Sequence, residues 1–331
     1  MSPIAKVDTH AHFLPPDYRD ALAKNGHEHP DGMPAIPEWS VEDHLAMMKS
    51  VNITKSYLSV SSPGTYLIAG DMAAARKLTR HVNDYGGKLK KDHPDQFGFF
   101  ASLALEDVEG SLDEVSHAYD TLDADGITVH TNHHGRYLGH KDFGAIFDEL
   151  NKRKAVVFMH PTTPCMHNGD HATPLDSYPV PMFEFLFDTA RAVINLFLSG
   201  TVKRCPDITW LIPHCGGTLP PLINRFSVMA GVGRPDSGIT AAWVKEQLNT
   251  RFYFDTAGFA YPEQIKGLLE YVSVDRILYG SDFPFTGLKY VQALSEQHEQ
   301  YLPIVFSKKE DQEKASHGNA LQLFSTLGQA K

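Results

Sequence analysis

Along the chain, short apolar or β-branched runs alternate with longer stretches that carry one apolar face. The runs are Ala5–Thr9, Ser56–Val60, Phe97–Leu103, Gly126–Thr131, Ala155–His160, Ile208–His214, Phe252–Asp255 and Ile277–Ser281. Nearly continuous apolar character over so few residues suits strands buried on both faces. The stretches between them include Ala69–Lys91, Ser111–Leu122, Phe143–Lys152, Phe183–Val202 and Pro262–Val272, which read as amphipathic helices. Strand and helix alternating in this way give parallel βα units, and eight such units close into a (β/α)8 TIM barrel of the α/β class. No linker, repeat or low-complexity tract divides residues 1–331, so they are read as one barrel domain. Two pieces fall outside the alternation. Pro15–Trp39 is a long loop after strand one, expected to overhang the barrel mouth. Lys308–Leu327 is an extra C-terminal helix, expected to pack outside the barrel.

That framework gives the histidines meaning. In Asp8-Thr9-His10-Ala11-His12, residues two apart on a strand share a face, so His10 and His12 aim both imidazoles at one point. Taken alone, such a pair is a weak signal for a metal. His160 closes the fifth strand, His214 closes the sixth and Asp282 follows the eighth, all at the C-terminal rim where barrel enzymes place their chemistry. Three histidines and one aspartate suit a single divalent ion with positions left for water and substrate, Zn²⁺ first and Mn²⁺ second. His214 is either a further ligand or a proton carrier beside the ion. Other polar residues carry less. Asp255 is read as a cap or a support, His133, His134 and His140 as polar loop residues, Cys215 as barrel packing, and Gly216-Gly217 as a tight turn.

Composition narrows the partners. The formal charge is −10 and no long basic run exists, which disfavours nucleic acid and anionic membranes. No run of apolar residues is long enough to span a bilayer, and the first residues lack a signal-peptide core, so a cytoplasmic location is expected. Cys165, Cys205 and Cys215 cannot form a full disulfide set and fit a reducing compartment.

The combination Asp8–His12, Phe158–Pro161, Pro213–Gly217 and Tyr279–Pro284 resembles the aminocarboxymuconate-semialdehyde decarboxylase-like branch of the amidohydrolase superfamily. Within it, Asn132–Gly139, Gly32–Pro34 with Trp39-Ser40, and Pro181–Gly200 are most similar to the 6-methylsalicylate decarboxylase group. The resemblance implies that His10, His12, His160 and Asp282 hold the metal and that His214 handles protons near it. It also implies that Arg225 reaches the substrate carboxylate across a homodimer interface. No lysine stands at the end of strand four, Thr128–Thr131, which points to one metal ion, with no organic cofactor expected. Gly26–Trp39 lacks the arginine that the muconate-semialdehyde enzyme uses, so an aromatic monocarboxylate fits better, with Phe285 and Trp39 as apolar walls.

The expected reaction is non-oxidative decarboxylation of an ortho-hydroxy aromatic acid to a phenol and CO₂, with Asp282 or His214 protonating the ring carbon. The alternative is a mononuclear hydrolase of a lactone or amide, in which the same ligands would activate water. A metal-binding scaffold without catalysis is the third reading.

Overall fold

A computed structural model describes residues 4–164 and 178–329 of the chain. Eight parallel strands form the sheet: β1 Lys6–His12, β2 Ile53–Ser59, β3 Phe97–Ser102, β4 Gly126–His130, β5 Val156–His160, β6 Thr209–Ile212, β7 Phe252–Asp255 and β8 Ile277–Leu278. Their spatial order is their chain order. A parallel bridge between Asp8 and Tyr279 joins the last strand to the first, leaving a nearly closed TIM barrel. Alternation explains why the strand sequences look apolar throughout. Val7, Tyr57, Phe100, Val156, Phe158, Leu211 and Leu278 form the interior cluster. Their neighbours Phe99, Ala101, Val157, Met159, Trp210 and Ile212 pack with the helices of the outer layer.

The register levels the strand ends. His12 pairs with Ser59 across β1 and β2, and His130 pairs with His160 across β4 and β5. β1 runs three residues further than its apolar run predicts. The extension is held from the far end of the chain, because the His12 amide donates to the Phe283 carbonyl at 2.7 Å. β6 instead stops at Ile212, so His214 lies in a turn beyond the strand and not on it. β8 is only two residues long, and Asp282 hangs from the loop that follows.

The helices sit close to where the pattern puts them, with side-chain caps setting several starts. Asp71 accepts from Ala74 N ahead of Met72–Asp92, and Asp107 accepts from Gly110 N ahead of Val108–Asp120. The stretch read as Phe183–Val202 breaks at Gly200, whose φ of 81° separates Glu184–Leu198 from Thr201–Arg204. The long connection after β1 is partly helical, at Pro16–Lys24 and Val41–Ser50. The second of these begins at Ser40, whose hydroxyl accepts from Asp43 N at 3.0 Å. The C-terminal element departs most from expectation. Ala320, Leu323 and Phe324 join the interior cluster, and Phe324 stacks on Tyr57 with ring centroids 3.8 Å apart. Its apolar face therefore plugs the barrel opposite the rim, because the interior there would otherwise meet water. Among the described residues, no helix is long and apolar enough to cross a membrane.

Candidate metal centre

His10 and His12 are buried on the same face of β1, and His160 is buried at the end of β5. Each imidazole has its Nδ1 engaged. His10 Nδ1 lies 3.0 Å from Asp255 Oδ2, and His160 Nδ1 donates to the Pro161 carbonyl at 2.7 Å. His12 Nδ1 lies 3.1 Å from Ser59 Oγ and 3.3 Å from the Ser59 carbonyl. A proton fixed on Nδ1 leaves Nε2 as the lone pair for a cation.

Asp282 completes the set. Its Oδ1 stands 3.1 Å from His12 Nε2 and 3.5 Å from His10 Nε2. Its backbone is left-handed at φ 58°, a conformation uncommon outside glycine, and its amide is tied to the His10 carbonyl at 2.7 Å. One ligand atom from each of His10, His12, His160 and Asp282 lies within 4.8 Å of the others. Ligands about 2.0–2.2 Å from one centre are mutually this close, so the four fit a single divalent ion. His10 Nε2 is buried without a hydrogen-bond partner, a position a cation would satisfy.

The electrostatics agree with the geometry. Burial lowers the pKa of His12 and drives that of His160 well below its usual value, favouring neutral ligands. Burial alone would raise Asp282, but the hydrogen bond from His12 and the charges of His10, His12 and His214 hold it at about 2. His10 goes the other way. Burial would lower it, yet the carboxylates of Asp255, Asp282 and Asp8 together outweigh that and raise it to about 9. With carboxylates on both sides, His10 has a strong electrostatic demand for positive charge, which either a proton or a metal ion meets.

His214 stands beside this set without belonging to it. Its ring centroid is 5.0 Å from that of His10, and its Nδ1 is buried without a partner. Burial, with His10 nearby, brings its pKa down to about 4. Asp255 does both things expected of it. Beyond holding His10, it caps the turn by accepting from His214 N and Ala257 N, each at 3.0 Å. Cys215 is fully buried in the outer core, as expected. Gly217 is required for a close approach, since a Cβ there would meet the Leu186 carbonyl oxygen at 2.4 Å.

A cavity of about 560 Å³ opens onto the centre, lined by His160, His214 and Asp282 together with Phe285, Met182 and Tyr290. Phe285 is thus a wall, its ring 5.4 Å from that of His12. Trp39 is not. Its indole donates to His44 Nδ1 at 3.0 Å and packs with Phe13 and Tyr85 in the core beneath the first helices, where burial of its ring is better served. Arg225 lies on the outer helix Pro220–Gly233, lining a separate hollow with Leu222 and Met229. His133 is buried and not a solvated loop residue, because the ribbon Asn132–His133 with Arg136–Tyr137 folds it onto Glu106 at 3.3 Å. Cys165 lies outside the described residues.

Two contributors have no assigned role in the sequence reading. Asp8 accepts from Ser281 Oγ at 2.6 Å and Ser281 N at 3.0 Å, fixing the loop that carries Asp282. Ser59 orients His12. Asp8 stands inside the first motif, but its partner is distant in sequence, and Ser59 carries no signal of its own.

The amidohydrolase family model matches residues 7–326, and the chain belongs to that family, in its aminocarboxymuconate-semialdehyde decarboxylase-like branch. It is a carboxy-lyase of the amidohydrolase superfamily. It is 36% identical over 328 residues to the 6-methylsalicylic acid decarboxylase of Penicillium expansum, covering 98% of this chain and 97% of that one. A crystal structure of an amidohydrolase II superposes with a TM-score of 0.87 at 31% identity, covering 97% of this chain and all of the other. The 5-carboxyvanillate decarboxylase of Novosphingobium aromaticivorans, complexed with manganese and 4-hydroxy-3-methoxy-5-nitrobenzoic acid, shares the fold at a TM-score of 0.82 and 22% identity, over 97% of this chain and 96% of that one.

Proposed function

We propose that the enzyme removes CO₂ non-oxidatively from an ortho-hydroxy aromatic acid, 6-methylsalicylate or a related salicylate, leaving the phenol. The observation that carries this reading is a three-histidine, one-aspartate centre at the base of a largely apolar cavity. The similarity to a 6-methylsalicylic acid decarboxylase over nearly the whole chain supports it.

Direct loss of CO₂ from an aryl carboxylate would leave an sp² carbanion that the ring cannot delocalise. Protonating the carboxyl-bearing carbon first avoids that species. The carbon–carbon bond then breaks, its electron pair returns to the ring, and aromaticity is restored. His10, His12, His160 and Asp282 would hold a divalent ion, Zn²⁺ in this reading with Mn²⁺ as the other fit, which would supply Lewis acidity worth roughly several kcal/mol to a developing negative charge. Asp282 or His214, unprotonated at rest, takes the proton released by the ortho hydroxyl and passes it to the ring carbon. Phe285 and Met182 give the ring an apolar wall and exclude water. Among the described residues lining the cavity there is no lysine or arginine. Arg225 of a neighbouring copy is proposed to supply that charge in a homodimer, in keeping with its exposed place beside Val228, Met229 and Val232.

Metal content measured alongside CO₂ release from a panel of hydroxybenzoates tests the proposal. A stoichiometric divalent ion and release of CO₂ with formation of the phenol are expected. A fully active metal-free protein, or lactone hydrolysis with ¹⁸O taken from water and no CO₂, would overturn it.

A further inference from the structure

Beside the hydroxyls of Ser61 and Tyr290, the described lining of the cavity carries one carboxylate that the metal centre does not use. It is Asp31, carried by the turn Pro30–Gly32 in the long loop after β1. The other polar groups at the wall are mostly committed. His160, His214 and Asp282 belong to the rim, and Thr286 hydrogen-bonds Asp282 at 3.3 Å. The Gln264 amide nitrogen is spent on the His214 and Gly217 carbonyls, at 2.6 and 3.2 Å. Most of what remains is apolar, including Met33, Phe185 and Leu186.

Asp31 is built into place. It holds a left-handed backbone at φ 53°, and the adjoining Gly32 lies close enough to Pro179 that a Cβ would contact its Cα at 3.6 Å. Thr163 donates to Asp31 Oδ1 twice, from its hydroxyl at 2.6 Å and its amide at 3.1 Å. An ionised carboxylate offers about four acceptor sites, so its described partners, Thr163 twice and the Ser62 hydroxyl once, leave about one open. Burial raises its pKa, while the hydroxyls of Thr163 and Ser62 oppose that rise.

We infer that Asp31 is a specificity residue that accepts a hydrogen bond from a further ring hydroxyl of the substrate, remote from the carboxylate. The inference rests on the decarboxylase reading above and names the substrate class within it. A salicylate turns its carboxylate and adjacent phenol toward the metal centre, since no described side chain of the same chain elsewhere on the wall is cationic and Arg225 of a neighbouring copy is taken to meet that same carboxylate. The ring and its alkyl group then fill the apolar wall, and a ring hydroxyl reaching Asp31 finds an acceptor. A second carboxylate placed there meets a like charge and is rejected. A hydrogen bond to a charged acceptor contributes a preference of about tenfold to a hundredfold.

The test compares kcat/KM for 6-methylsalicylate with its ring-hydroxylated congeners, in the metal-loaded enzyme and in Asp31→Asn. Dissociation constants of the matching unreactive 2-nitrophenols are read in parallel. Asp31→Asn keeps an oxygen for Thr163 and replaces the charged oxygen by an amide donor. At least one hydroxylated congener should exceed the parent by about tenfold or more, and the variant should erase most of that ratio in turnover and in binding. A merely structural role would lower all substrates together and leave the ratio intact, which overturns the inference. CO₂ release with no hydroxyl preference overturns it while the decarboxylase reading stands. Asp31-dependent binding with no CO₂ from any acid supports Asp31 as the selector and overturns decarboxylation.

Discussion

The two ends of the barrel differ in what their buried polar groups are held for. At the base, Lys6 Nζ, fully buried, donates to Glu299 at 2.6 Å and to the Val51 carbonyl at 3.0 Å. Asn319 Nδ2 serves the Val274 and Ile277 carbonyls at 2.8 Å each, and His317 Nδ1 reaches the Ala5 carbonyl at 3.1 Å. At the rim, His10 Nε2, His130 Nε2 and His214 Nδ1 are buried without partners, and His214, Cys215 and Asp282 hold left-handed backbone. Both ends are built from the same strands. The base pairs its charged and amide groups for stability, with His298 Nδ1 left unpartnered there, whereas the rim gathers strain and unused imidazole nitrogens around one point that a metal and a substrate fill.

The contrast predicts that changes at the rim cost function more than stability. Asp282→Asn should lower turnover by about a thousandfold or more while the thermal midpoint falls only slightly, because the histidines that hold its carboxylate at about 2 lose an attractive charge. CO₂ release and thermal unfolding on the same preparation check it, and a near-normal rate removes Asp282 from the reaction.

Asp255→Asn probes the support behind the rim. Asp255 fixes the His10 proton on Nδ1, so its loss should weaken metal binding by about tenfold to a hundredfold, read by competition with a chelator. If unfolding shifts and metal affinity does not, Asp255 serves only as the cap of the His214 turn.

At the base the balance should reverse. Asn319→Ala leaves two buried carbonyls near β8 without their donor and should cost about 2 kcal/mol in denaturant unfolding. The kinetic constants of the variant should match those of the parent, and a fall in kcat comparable to that of a rim variant would erase the distinction between the ends.

How far the sequence reveals these ends follows from the range of the forces involved. Alternation is local, so the eight strands and most helices stand in the pattern of residues. The four ligands are legible because His12 and His160 end strands, His10 shares a face with His12, Asp282 follows the last strand closely, and strand ends share a rim. What escapes depends on distant partners. β1 extends to His12 because Phe283 receives its amide, His214 leaves its strand because the turn bends at once, and Trp39 finds the core and not the cavity. The C-terminal helix looks like an outer layer until Phe324 meets Tyr57 inside the barrel. Asp31 carries no motif at all. Its place is set by Thr163, more than a hundred positions away.

The smallest effect sharpens the comparison through pH. His298 is buried at the base, edge-on to Tyr261 and Tyr279, with Nε2 3.1 Å from Ser316 Oγ. Burial, with the charge of Lys6 adding to it, lowers its pKa from 6.5 to about 3. Between those values the unfolded chain binds a proton there and the folded chain does not. The contribution of His298 to stability is therefore complete above pH 6.5 and declines as pH falls toward 3. For one such proton the loss between pH 7.5 and 5.5 is about 1.4 kcal/mol. His298→Phe preserves the edge-on ring packing and deletes the titration, so its unfolding free energy should fall less over that interval, by about this amount. Metal loading should leave the difference between parent and variant unchanged, because His298 belongs to the base, whereas the same comparison made with a rim histidine should depend on the metal. Parallel pH slopes for parent and His298→Phe would show that the base does not hold this histidine neutral.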